Sequence, residues 1–186
     1  MNKEKYEFYN SADYAKFIEK VTSEKIFHIT RYEHYLAILR DGYIMGGKNP
    51  EKNWPNYSSF FVNLGCVCVI NNKKAYRAEM PKSEADLYSS NFNFSSLRFI
   101  AHYYGSTPVF LIFSDDMENE LLSWKLCKEQ NKLSEKVVPY YEAGYKGDIP
   151  LSKIEKAILL DLAAPEDAGL TGMLEIAREK RISKKN

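Results

Sequence analysis

The sequence predicts a single α+β domain, and three observations carry that reading. Strand-like and helix-like segments are interleaved without regular strand–helix–strand alternation, which argues against a doubly wound parallel sheet. A length of 186 residues suits one hydrophobic core rather than two. Hydrophobic residues make up 45% of the chain and aromatic residues 14%, enough to fill that core and too many for a disordered polymer. The expected domain covers residues 1–186, with 1–24 as a helical lead-in and 178–186 as a charged tail.

The elements follow from local chemistry. Ser11 opens a helix to about Val21, with Phe17, Ile18 and Val21 on one face. Lys25 to Ile29 is a short apolar strand ended by Thr30 or Arg31. Tyr32 to Arg40 has helical spacing through Tyr32, Leu36 and Leu39, and Gly42 stops that helix because glycine adopts the left-handed cap conformation freely. Tyr43 to Met45 is a second small strand, and 48–56 is a polar loop with two prolines. The run 58–70 carries β-branched and aromatic residues and is expected to hold strand structure. A turn follows at 71–74, and 95–104 reads as a helix. Pro108 to Phe113 is strongly apolar and is expected in the sheet centre. Ser114 is expected to cap a helix from about Asp115 to Glu129, whose first-turn acids suit the helix dipole. Strands are expected at 136–142 and 154–160, and a last helix at 170–180.

Composition narrows the function classes. The net charge is +1, from 26 basic and 25 acidic residues, so stable electrostatic binding to nucleic acid is not expected. Three cysteines, Cys66, Cys68 and Cys127, give neither a disulfide framework nor a zinc ligand set, and buried free thiols are expected; no metal site is predicted. The charged N-terminal residues do not resemble a secretory leader, and no apolar run is long enough to span a bilayer. A cytoplasmic protein without membrane contact is the expectation. Walker-type loops, dinucleotide fingerprints and nucleophile elbows are absent from the sequence.

Three segments carry candidate chemistry. In Ile26-Phe27-His28-Ile29-Thr30, strand alternation puts His28 and Thr30 on one face, a surface suited to a polar ligand. Trp54 to Phe60 offers Tyr57, Ser58 and Ser59 where a loop meets a strand. In Pro139-Tyr140-Tyr141-Glu142-Ala143-Gly144-Tyr145, Glu142 is expected at the end of an aromatic strand, just before a turn. His34 and His102 fall in helical segments and suit surface or cap roles. Trp124 suits the core, and Asp115 with Asp116 reads as a helix-start charge pair.

Together these segments resemble the ADP-ribosyltransferase fold, most closely bacterial toxin-like and phage-defence members that include DNA-modifying ADP-ribosyltransferases. The resemblance rests on the "hydrophobe-His-x-Thr" strand, the helix ending Ile-Leu-Arg-Asp-Gly, and Glu142-Ala143 running on through Tyr145 to Gly147-Asp148-Ile149-Pro150-Leu151-Ser152. It covers roughly residues 25–47 and 139–160, with a fainter match at 103–113. It implies a split mixed sheet flanked by helices, with NAD as substrate and transfer of ADP-ribose to a protein or nucleic-acid acceptor in phage–host or toxin–antitoxin conflict. His28 would hold the nicotinamide-side ribose, and Glu142 would stabilise the oxocarbenium-like transition state electrostatically. Thr30, Arg31, Tyr57, Ser58 and Tyr145 would complete the nucleotide site. DNA-modifying relatives carry an arginine in a Pro-Arg-Ser-Pro type turn; the matching turn here, Gly105-Ser106-Thr107-Pro108, has Ser106 at that place, with Arg31 or Arg98 as candidate substitutes. The alternative reading is a non-catalytic nucleotide-binding module of the same fold.

Overall fold

Pro108–Phe113 is buried at every position, and the sheet extends to either side of it. The computed structural model describes residues 1–8, 11–47, 59–81, 106–130 and 137–162. In chain order the described elements are β1 (Asn2–Phe8), α1 (Ser11–Thr22), β2 (Ile26–Arg31), α2 (Tyr32–Asp41), β3 (Tyr43–Ile44), α3 (Ser59–Asn63), β4 (Cys66–Asn71), β5 (Pro108–Phe113), β6 (Leu121–Ser123), α4 (Lys125–Glu129), β7 (Glu142–Lys146), β8 (Ile149–Pro150) and β9 (Ile154–Leu162). Short 3-10 turns occupy Asp115–Glu120 and Leu151–Lys153. The fold is α+β, as expected, with a mixed sheet in the order β1-β9-β5-β2-β4-β7-β6 and a separate β3–β8 ribbon.

Among the described residues only the β1–β9 pair is parallel, and every other pair is antiparallel. β2 and β4 are joined by just two residue pairs, Ile26 with Asn71 and Phe27 with Ile70, after which the ladder stops. The sheet therefore consists of a four-stranded and a three-stranded part hinged on a short seam.

Strand alternation sends two apolar sets to opposite faces. One face gathers Ile26, Val67, Val69, Val109, Leu111, Ala143 and Leu159 under α2, β3 and β8, through Tyr35, Ile38, Ile44 and Ile149. The other gathers Phe27, Ile70, Phe110, Ile112 and Ile158 under Ile18 of α1. Phe60 and Phe61 of α3 extend that second face with Cys66 and Cys127.

Several elements depart from the sequence-based expectation, each for a physical reason. The lead-in 1–24 is not wholly helical, because β1 precedes α1. β1 sits at the sheet edge, tied to β9 by Lys5–Asp161 and Lys156–Glu4 ion pairs at 3.2 and 2.9 Å, and its polar alternation masked the strand. Within the run 58–70, α3 drives Phe60 and Phe61 into the core, and strand begins only at Cys66. The helix expected over 115–129 is a 3-10 turn, β6 and the short α4. Its first-turn acids pair with lysines from elsewhere: Asp115 and Glu118 with Lys73, and Asp116 with Lys153. α2 has the expected length, and Gly42, at φ 86°, caps it by donating to the Ile38 carbonyl. It buries Tyr35 and Ile38, leaving Leu36 and Leu39 exposed, so its inward face is not the Tyr32-Leu36-Leu39 stripe. The expected loop at 48–56 and the helices at 95–104 and 170–180 lie outside the described residues. Among the described residues, no helix is long and apolar enough to cross a membrane.

At the end of β4 away from the seam, glycines let three backbones meet. A Cβ at Gly46 would strike the Gly147 carbonyl and lie 2.8 Å from the Gly65 oxygen. Gly47 N donates to the Cys66 carbonyl and Gly147 N to the Gly65 carbonyl, both at 3.0 Å, so the β3–β8 ribbon is laced to the start of β4.

Candidate functional site

β2 and β4 part immediately after Phe27, and His28 sits at that point. Had the ladder continued, Ile29 would face Cys68. Instead the His28 Nδ1–H donates to the Cys68 carbonyl at 2.9 Å, so an imidazole spans the opening. A carbonyl only accepts, so the proton is on Nδ1 and the Nε2 lone pair is an acceptor in the neutral ring. Burial pushes the His28 pKa below 6.5, opposed by the Cys68 hydrogen bond, and the ring is neutral at pH 7. The unfolded chain takes up this proton first, so the contribution is present above 6.5 and is lost as pH falls from there toward the folded value.

Thr30 is buried and pairs with Val109, on the same face as His28. Arg31 ends β2 and donates through Nε and a terminal nitrogen to His34 Nε2, at 3.2 and 3.1 Å. Beside it, Ser106 accepts from Tyr32 N at 3.2 Å and donates to Glu33 at 2.7 Å. Ser106 is therefore a buried connector between the α2 start and the residues just before β5, with Arg31 adjacent to Glu33 at 3.9 Å.

Glu142 is placed differently from the sequence reading. It starts β7 just after a turn, rather than ending a strand just before one. Phe27 pairs with Ile70 and Ile70 pairs with Glu142, so these three side chains issue from one face. His28 issues from the other face, opposite Leu111. The expectation that His28 and Glu142 hold one sugar between them is corrected by this register. Glu142 is 2% exposed, and its Oε2 accepts the Val138 N–H at 2.8 Å while its own N–H donates to the Val138 carbonyl at 3.0 Å. The carboxylate closes its own turn.

Tyr145 shares the His28 face by register but lies two strands away, its hydroxyl donating to Glu120 at 3.0 Å. Burial and that carboxylate raise its pKa. Tyr57 and Ser58 lie outside the described residues, as do His102 and Arg98. Sequence reasoning missed Tyr76, whose hydroxyl donates to the Glu142 carbonyl at 2.7 Å and accepts the backbone N–H of Trp124 at 3.0 Å. Burial pushes this phenol up to about 12. The only sequence signal was an aromatic residue inside a polar turn segment.

The geometry thus provides a neutral imidazole acceptor at a break in the sheet, with a buried threonine on its face and a guanidinium at the strand end. No family model matches the chain, and no curated protein or solved structure matches it either.

Proposed function

We propose that the chain binds a nucleotide of NAD or ADP-ribose type at the opening between β2 and β4, without turning it over. The observation that carries the reading is the fixed tautomer of His28. With Nδ1–H committed to Cys68, the ring offers one oriented acceptor, suited to a ribose hydroxyl. Arg31 supplies positive charge at the end of the same strand, suited to a phosphate. The resemblance of the 25–47 and 139–160 segments to ADP-ribosyltransferases supports the ligand class. The position of Glu142 favours binding over transfer, because a carboxylate sealed on the opposite face is not beside a developing positive charge.

Calorimetric titration with NAD and ADP-ribose, run beside an assay for free nicotinamide, tests this. Saturable heat without nicotinamide release is expected. His28→Ala is expected to weaken binding about tenfold, equivalent to ~1.4 kcal/mol. His28→Gln, whose amide can still donate to Cys68, controls for any loss of fold. Affinity is expected to hold through pH 6.5 and to fall only as pH drops further, through the lowered value of the folded ring, since protonation of Nε2 abolishes the acceptor. Absence of heat with folded protein at millimolar nucleotide would sink the proposal.

ADP-ribosyl transfer is the second reading, and the backbone of Tyr140 favours it. This residue sits at φ 64°, a strained conformation for tyrosine, two positions before Glu142. Strain in that turn is a store that ligand binding could release to free the carboxylate. Nicotinamide release that disappears in Glu142→Gln would establish this reading over the first.

A further inference from the structure

A second cluster lies where the turn before β7 meets the turn after β4. Two consecutive tyrosines each carry a planar nitrogen-bearing partner. The Trp124 indole packs on Tyr140 with ring centroids 4.6 Å apart, and the Arg77 guanidinium lies 5.3 Å from the Tyr141 ring centroid. The Tyr76 hydroxyl, next to Arg77, accepts the backbone N–H of Trp124, so the two stacks are joined at both ends.

The donors of this cluster are incompletely matched. One Arg77 terminal nitrogen donates to the Asn72 carbonyl at 3.1 Å and the other reaches the Tyr141 hydroxyl at 3.4 Å. Arg77 Nε and Trp124 Nε1 are buried and have no acceptor among the described residues, and Trp124 is only 6% exposed. A third buried donor without an acceptor, Asn71 Nδ2, belongs to the residue whose backbone N–H bonds the Tyr141 carbonyl at 2.8 Å. Buried polar groups are almost always paired in native proteins. Here three unmatched groups belong to one connected network, all are donors, and one belongs to a cation. Their complement is an oxyanion, which accepts at several oxygens and forms the shorter, charge-assisted bonds that a guanidinium favours.

We propose that Arg77 and Trp124 form a binding site for an oxyanion group, phosphoryl or carboxylate, with Asn71 beside it. The site is independent of the nucleotide reading: it uses neither His28 nor Arg31. Tyr140 gives it a place to open, since its left-handed backbone sits in the turn that carries the stacked rings.

The indole N–H is the direct reporter. In Trp54→Phe protein a single tryptophan, Trp124, remains, and its indole resonance is followed in a 15N-labelled sample. Inorganic phosphate, pyrophosphate and acetate are titrated separately, with ionic strength held constant by chloride. A saturating downfield shift is expected with at least one of them. Tighter response to phosphate or pyrophosphate assigns a phosphoryl ligand, and tighter response to acetate assigns a carboxylate. Arg77→Gln is expected to weaken the response about tenfold or more while the backbone amide spectrum stays dispersed, tenfold being the loss of one charge-assisted contact. Should that variant fail to fold, Arg77→Lys, which keeps the charge and loses Nε, is expected to show the weakening instead. An indole resonance that stays fixed, or moves equally with chloride, overturns the proposal and leaves these donors to internal water. His28→Ala is expected to leave the shift intact, so failure here and failure of nucleotide binding are separately visible.

Discussion

Glu142→Ala is expected to lower the unfolding free energy by about 2–4 kcal/mol, summing the loss of a buried hydrogen-bonded acceptor with the cavity it leaves. For a domain of this size that corresponds to a fall in melting temperature of roughly 5–15 °C. The residue joins the turn twice, since its carboxylate accepts the Val138 N–H and its backbone N–H returns a bond to the Val138 carbonyl. Tyr76 adds a third tie by donating to its carbonyl. These bonds hold Tyr140 in its left-handed conformation, so removing the acceptor frees a strained turn as well as stranding a donor. Glu142→Gln retains a carbonyl acceptor of similar length and is expected to lose about 1 kcal/mol, the charge-assisted part of the bond. Thermal and urea unfolding of both variants check the order. Equal stability of the Ala variant and the parent would show that the carboxylate has no part in holding the turn.

How much of this was legible in the sequence depended on how far each signal reached along the chain. β5 was plain, because six consecutive apolar residues bounded by Thr107 and Ser114 have few alternatives to a fully buried strand. α2 and its glycine cap were also plain, since propensity and termination agree within ten residues. Its inward face was not, because Tyr35 and Ile38 are buried by β-strand partners that the helix alone does not reveal. β1 was invisible for the opposite reason: it is an edge strand with charged alternation, held by ion pairs to a strand more than 150 positions away. The candidate site shows the same division. That His28 and Thr30 share a face follows from strand period alone, and the register agrees. That Glu142 lies on the other face is set by how β4 docks between β2 and β7, a long-range pairing with no local signature. A strand boundary shifted by a few residues moved Glu142 from the end of one strand to the start of the next.

The same register leads to a second large effect, at Gly144. It pairs with Cys68 and points to the face where α3 packs, and a Cβ there would strike the Phe61 ring at Cδ1, with Cε1 at 2.9 Å and Cγ at 3.1 Å. Phe61 cannot withdraw cheaply, since it is fully buried against Phe60 at a centroid distance of 5.2 Å and against Cys66 and Cys127. Gly144→Ala is therefore expected to cost about 2–3 kcal/mol, the upper range for overpacking a tight core, although alanine is otherwise at least as well suited to a strand as glycine. The effect should be conditional on the ring. Phe61→Leu alone is expected to cost about 1–2 kcal/mol through lost burial, but the double variant Gly144→Ala/Phe61→Leu is expected to be more stable than the sum of the singles by about 1 kcal/mol or more. A double-mutant cycle in urea measures that coupling. Simple additivity would mean that α3 does not lie over Gly144, and the pairing of β4 with β7 that separates Glu142 from His28 would lose its independent support.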